Sequence, residues 1–136
     1  MVRGVSLAIT FERRFFMAKR RCIAVDVYES EEFLTLSDKA KVLYTLFILR
    51  SDDEGVVINP RTAMRLCGAT DVELCELLEM GFLLAVDGVY VIRHWYAHNR
   101  IQPSRKTDTL YTEQISRLYV SSTKEYEFVD KMSTNC

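Results

Sequence analysis

The chain has 136 residues, 49% of them hydrophobic and 27% charged. This composition is typical of one soluble domain with short extensions and excludes wholesale disorder, and no apolar run approaches the roughly 20 residues of a membrane helix. The net charge of −1 hides a segregation, because residues 1–21 carry +5, residues 22–92 carry −8 and residues 93–136 carry +2.

Residues 1–16 are interpreted as an extension that is a translated leader. The stretch from Phe11 to Met17 can be encoded by codons that contain a bacterial ribosome-binding sequence at a workable distance before a start codon, so Met17 is the expected first residue. Alternatively, Arg13 and Arg14 belong to a genuine basic arm. Charged residues follow the short apolar N-terminal piece, which is not the pattern of a signal peptide. The four cysteines are scattered without a CxxC pair, so we expect a reducing, cytoplasmic location.

The first predicted helix runs from Ser37 to Arg50. Apolar residues repeat there at intervals of three and four, Ser37 can cap the helix, and an acidic residue follows in the first turn. The opposite side is apolar too, which predicts a central helix or a face shared with another subunit. The candidate oligomer-interface residues are Val42, Leu46 and Leu49.

A helix-turn-helix is predicted next, after a polar turn from Ser51 to Gly55 and a short strand at 56–58. Asn59-Pro60 is typical of a helix start, with the Asn as the cap, and that helix ends near Gly68. Thr70 caps a second helix, Asp71 to Met80, which ends at Gly81. Its predicted buried residues are Val72, Leu74, Cys75, Leu77 and Leu78.

A β-hairpin follows the helices. Two β-rich runs, Phe82 to Val86 and Val89 to Ile92, flank Asp87-Gly88, a dipeptide typical of a type I′ turn. The order of elements predicts an α+β, mostly helical fold: a winged helix-turn-helix with a two-stranded wing over residues 17–99. Residues 100–136 are predicted to be a basic, then irregular tail that links to a further domain, with a weak helical pattern near 112–119.

The sequence favours a binding module over an enzyme. It has no GxSxG, P-loop or dinucleotide-type glycine motif, so we expect no catalytic residues and no cofactor. His94 and His98 are spaced i and i+4 but lack further ligands at metal spacing, so they are expected to make structural hydrogen bonds. Asp52, Asp53 and Glu54 lack the spacing of a calcium loop and are predicted to form a solvated turn.

Trp95 is predicted to be a core residue at the base of the wing, beside Phe82 and Tyr90 or across to Phe47.

The helix from Asp71 to Met80 contains four acidic residues and no Lys or Arg. Because affinity for DNA depends mainly on neutralising phosphates, this helix is not expected to read the major groove by itself.

DNA contacts are predicted at basic residues outside that helix. They lie before the central helix, at i and i+4 on the helix that Pro60 begins, and in the segment beyond the wing. Ordinary solvated surface is the alternative for each of them. The candidate DNA-binding residues are Lys19, Arg20, Arg21, Arg61, Arg65, Arg93, Arg100, Arg105 and Lys106.

Several segments together resemble the N-terminal domain of bacteriophage replisome organiser proteins, which are similar to DnaD-type primosome proteins of low-GC Gram-positive bacteria. The resemblance covers about residues 17–119. The segments that carry it are MAKRR at Met17, EEFLTL, the run from Leu43 through DDEG to Asn59-Pro60, CGAT, IRHWYAHNRI from Ile92 to Ile101, and Tyr111-Thr112.

This resemblance implies a winged-helix domain of a phage or prophage replication initiation protein in the cytoplasm of a bacterial host. Such a protein acts at an origin, on DNA that includes single-stranded or forked forms, self-associates, and helps to bring the replicative helicase or its loader. From the residue pattern itself, neither a bound metal nor a membrane association is expected. Two alternatives stay open: a phage transcriptional regulator that binds an operator as a dimer, and a domain that binds only proteins.

Overall fold

The computed structural model describes residues 18–129. Within that range the fold is α+β, with seven helices and two small antiparallel two-stranded sheets. None of the described helices is long and apolar enough to cross a membrane. The predicted leader and the expected start at Met17 lie outside the described residues.

Two short helices, α1 (Val25–Tyr28) and α2 (Glu31–Leu34), precede the predicted ones. The side chain of Ser30 caps α2 by accepting a hydrogen bond from the backbone N–H of Phe33, at 3.2 Å. The ring of Phe33 is buried and lies 5.6 Å from that of Tyr44 on the next helix. These helices escaped prediction because each spans a single turn, too short for a periodic pattern.

The central helix α3 (Asp38–Leu49) begins with the Ser37 cap, as predicted. Its inner face is the middle of the hydrophobic core and packs on both following helices. Leu46 on the other side is partly buried, while Val42 and Leu49 are 48% and 42% exposed. The second apolar side of α3 therefore reaches the protein surface.

The next two helices, α4 (Pro60–Cys67) and α5 (Asp71–Glu79), have the predicted bounds to within a residue. Pro60 lies in the first turn of α4 and Asn59 occupies the N-cap position, as predicted, but Asn59 has left-handed backbone angles (φ 53°) and its side chain makes no capping hydrogen bond. Thr70 does cap α5, in a reciprocal capping box with Glu73.

The buried face of α5 is narrower than predicted. Leu74 and Leu77 are buried, and Leu78 is partly buried against the core. Val72 is 70% exposed and Cys75 is exposed, so their predicted burial was wrong. Helix α5 packs against α3 and β1, and its remaining faces are exposed.

The hairpin has the predicted turn. Strand β1 (Leu83–Val86) pairs with β2 (Val89–Ile92), and the turn residues Asp87 and Gly88 both have positive φ, which confirms the type I′ geometry. The predicted short strand at 56–58 does not form; the segment makes only isolated bridges, one of them to β2, where the N–H of Val57 donates to Tyr90 O and the N–H of Ile92 to Gly55 O, both at 2.9 Å. The arrangement is compatible with a helical domain that carries a β wing.

The described residues after 100 are not an irregular tail. Helix α6 (Trp95–His98) leads to a loop, to α7 (Thr112–Ile115), and to a second hairpin of β3 (Leu118–Val120) and β4 (Tyr126–Phe128). Leu118 and Tyr126 belong to the hydrophobic core. The backbone N–H of Tyr126 donates to Arg93 O at 2.8 Å, so this hairpin is attached to the residue that follows β2. The domain therefore extends past the predicted boundary at residue 99.

Candidate nucleic-acid interface

The turn from Ser51 to Gly55 is a buried acidic junction and not the predicted solvated turn. Asp52 Oδ1 accepts hydrogen bonds from the backbone N–H groups of Glu54 (2.9 Å) and Val56 (3.0 Å), while Oδ2 accepts from the Thr109 hydroxyl at 2.6 Å. Burial raises the pKa of Asp52 above its ordinary value, and these hydrogen bonds act in the opposite direction. The prediction failed because the partners of the turn lie far away in the sequence.

Asp53 joins two distant segments through one carboxylate. It is 7% exposed; Oδ1 forms an ion pair with Arg21 Nη2 at 2.9 Å, and Oδ2 accepts the backbone N–H of Thr107, also at 2.9 Å. Residues 32 positions earlier and 54 positions later are thereby fixed on the same group.

Arg21, one of the candidate DNA-binding residues, is buried. Its side chain is 3% exposed, Nη2 also donates to Ser51 O at 2.8 Å, and the guanidinium carbon lies 5.1 Å from the centroid of the Trp95 ring. A guanidinium with these partners is not available to a DNA phosphate, so the predicted DNA contact of Arg21 was wrong: its side chain is internal.

Trp95 is fully buried, which confirms its predicted place in the core. Its indole N–H donates to Asp53 O at 3.0 Å. Gly55 lies against the ring so closely that an added Cβ would stand 2.7 Å from Trp95 Cγ. The tryptophan thus supports the acidic junction, a set of neighbours that the sequence did not indicate.

His98 and Asn99 hold the N-terminal arm, residues 18–24, against the end of α6. Asn99 exchanges two hydrogen bonds with the backbone of Cys22 (2.9 and 3.2 Å), and His98 Nδ1 accepts the N–H of Ala24 at 2.8 Å. Because Nδ1 is an acceptor, the ring proton is on Nε2, which lies 2.7 Å from the Tyr44 hydroxyl. Burial lowers the pKa of His98 to about 4, so the ring is neutral at pH 7.

The prediction of structural hydrogen bonds is confirmed for His98. His94 Nε2 lies 3.6 Å from Glu125 Oε2, and burial lowers the pKa of His94 below its ordinary value. Within residues 18–129, no group of three or more His, Cys, Asp or Glu side chains could hold a metal ion.

Five candidate residues lie on two segments, the arm and the loop after α6, that are attached to each other through shared partners. Asn99, which precedes Arg100, binds the backbone of Cys22, and Arg21 and Thr107, which follows Lys106, bind the same Asp53 carboxylate. All but Lys106 are exposed; Lys106 is 29% exposed, with Nζ 3.7 Å from a Glu54 carboxylate oxygen. We call this group the basic surface: Lys19, Arg20, Arg100, Arg105 and Lys106.

The other candidates lie elsewhere. Arg61 and Arg65 are exposed on α4 and line a shallow concavity at the start of α5, where Arg61 forms an exposed ion pair with Asp71 at 3.1 Å. The Arg93 side chain is 30% exposed and pairs with Glu125 and Glu127, each at 3.1 Å, which joins the second hairpin to the end of the first. Arg93 is thus engaged within the protein.

The acidic residues of α5 also have local partners. Glu76 accepts the Ser37 N–H (2.6 Å) and hydroxyl (2.8 Å) at the start of α3, and Glu73 completes the capping box. No cationic side chain is present on α5, whose exposed residues include Asp71, Val72 and Glu79. The exposed surface of α5 therefore contains acidic side chains without a cation of its own.

No family model, no curated protein and no solved structure matches the chain.

Proposed function

We propose that the chain is the winged-helix domain of a replication initiation protein of phage or prophage origin. The winged helix would consist of α3, α4, α5 and the β1–β2 hairpin, with the segment at 56–57 bridged to the outer side of β2. The resemblance of residues 92–101 to replisome organisers supports the same proposal.

The basic surface is the main observation that supports DNA binding by this domain. Its residues come from two segments roughly 80 positions apart in the sequence, and the acidic junction holds both segments. Asp108 is the exposed acidic residue in the same loop. Cations grouped in this way suit contacts to the phosphate backbone, which give affinity without reading base sequence.

The acidic character of α5 favours DNA contacts that do not read the base sequence. A helix that reads base edges in the major groove uses Arg, Lys, Asn or Gln, and α5 carries none of these residues. A backbone contact that ignores sequence fits a protein that works on single-stranded or forked DNA at an origin and there recruits the replicative helicase or its loader. The residues of α5 therefore do not support the alternative of a regulator that binds an operator.

The DNA part is tested by fluorescence anisotropy with labelled single-stranded, duplex and forked DNA at several salt concentrations. Lys19→Ala/Arg105→Ala should weaken binding and lower the slope of log affinity against log salt by about 1.8 on duplex, or about 1.4 on single strands, for two phosphate contacts. Lys39→Ala/Lys41→Ala on α3 removes the same charge and should leave the slope unchanged. Equal effects of the two variants would mean that only net charge matters and would refute a defined surface.

A domain that binds only proteins is the second candidate. It is favoured by α5, where Val72 is 70% exposed among acidic residues. Absence of binding to all three DNA forms at low salt would support this candidate over the first.

A further inference from the structure

The N-terminal arm is held against the domain by an ion pair and several hydrogen bonds. Its two exposed cations, Lys19 and Arg20, take no part in these contacts. Three positions within four residues are held: Arg21 by Asp53 and Ser51, Cys22 by Asn99, and Ala24 by His98. Lys19 and Arg20, directly before the first fastened residue, are exposed. The held part of the arm therefore begins directly after its two exposed cations.

We propose that Arg21 and Asp53 form a latch that holds Lys19 and Arg20 beside Arg105 and Lys106, so that two segments bind one nucleic-acid backbone together. Asp53 is suited to this role because its two oxygens face different segments: one takes the arm through Arg21, the other takes the loop through the N–H of Thr107. This inference rests on the proposed DNA-binding function and assigns positioning residues to it.

Stability by itself does not account for the pair. Moving two charges from water into an interior is costly, and buried ion pairs are often replaceable by apolar residues without loss of stability. Arg21 Nε is buried without a hydrogen-bond partner among the described residues, which adds to that cost. Unlike an apolar contact, an ion pair fixes the side chain in one defined position. Here the Arg21 guanidinium lies over the Trp95 ring.

The latch matters for affinity because an unfastened arm must be ordered when DNA binds. Ordering flexible residues opposes binding, whereas residues already held in place bind at a lower entropic cost. Without the latch, the two arm cations would remain in the chain but would no longer lie beside the loop cations.

The first test needs no DNA. In the full chain, the backbone amides of Cys22 and Ala24 are followed by hydrogen exchange, with Leu77 in α5 as the core reference. Arg21→Gln should accelerate exchange at Cys22 and Ala24 by about tenfold or more, the effect of losing one charge-assisted hydrogen bond, and leave Leu77 unchanged. Arg21→Lys, which keeps the charge, should give a smaller acceleration. Unchanged exchange at both arm amides, or equal acceleration at Leu77, would overturn the latch.

The second test compares salt slopes on DNA. Lys19→Ala/Arg20→Ala should lower the slope by about 1.8 on duplex in the wild-type background and have almost no further effect in the Arg21→Gln background. Additive effects would overturn the latch while leaving the proposed function intact. If the wild-type chain binds no DNA, the proposed function fails, and the exchange experiment still decides whether Arg21 holds the arm.

Discussion

Replacing Trp95 with alanine should remove most of the stability of the domain. The side chain is fully buried, and truncating an aromatic residue in such a site costs about 3–5 kcal/mol. The indole N–H also satisfies Asp53 O, and leaving that buried carbonyl unpaired adds about 1–3 kcal/mol. The expected total of about 4–8 kcal/mol compares with the roughly 5–15 kcal/mol that holds a typical domain together.

Urea unfolding followed by far-UV circular dichroism measures this loss. Trp95 is the only tryptophan in the chain, so its fluorescence gives an independent transition for the wild type. Trp95→Phe is the matched control: it keeps an aromatic ring, loses the N–H, and should cost clearly less than the alanine variant. Gly55→Ala probes the same contact from the other side, because its φ is +91° and the new Cβ would meet the indole at 2.7 Å.

The result that would refute this reasoning is a Trp95→Ala protein within about 1 kcal/mol of the wild type at an unchanged denaturant slope. Such a protein would mean that the ring does not support the acidic junction. If that stable variant had also lost DNA binding, Trp95 would be reassigned as a residue that stacks on nucleic-acid bases.

Three further predictions concern other parts of the molecule. The folded-state pKa of His98 is lowered to about 4 from 6.5, so the unfolded chain binds more protons between these pH values. The free energy of unfolding should therefore be highest above about pH 6.5 and fall by about 3 kcal/mol towards pH 4. In urea titrations, His98→Gln should reduce this pH dependence. Arg61→Ala/Arg65→Ala should leave the melting temperature nearly unchanged, because both residues are exposed, and an unchanged DNA salt slope would exclude α4 from the interface. Val42→Glu/Leu49→Glu should convert a homo-oligomer into monomers in light scattering, and a wild-type chain that is monomeric at high micromolar concentration would contradict an α3 interface.

The central helices and the first hairpin could be predicted because their signals are local. Ser37 and Thr70 cap helices through hydrogen bonds to residues two or three positions away, and Asp87-Gly88 closes a turn between adjacent strands. Backbone preferences and periodic burial act over a few residues, so one sequence contains them. The acidity of α5, and with it the argument against major-groove reading, was equally visible.

The acidic junction was decided by the tertiary structure alone. Asp52, Asp53 and Glu54 look like a solvated turn because their partners, Arg21 and the loop up to Thr109, lie 30 or more positions away. A buried carboxylate differs from an exposed one only by what the rest of the chain brings to it. For the same reason sequence reasoning counted Arg21 among the surface cations, whereas the folded chain buries it and leaves its neighbours outside.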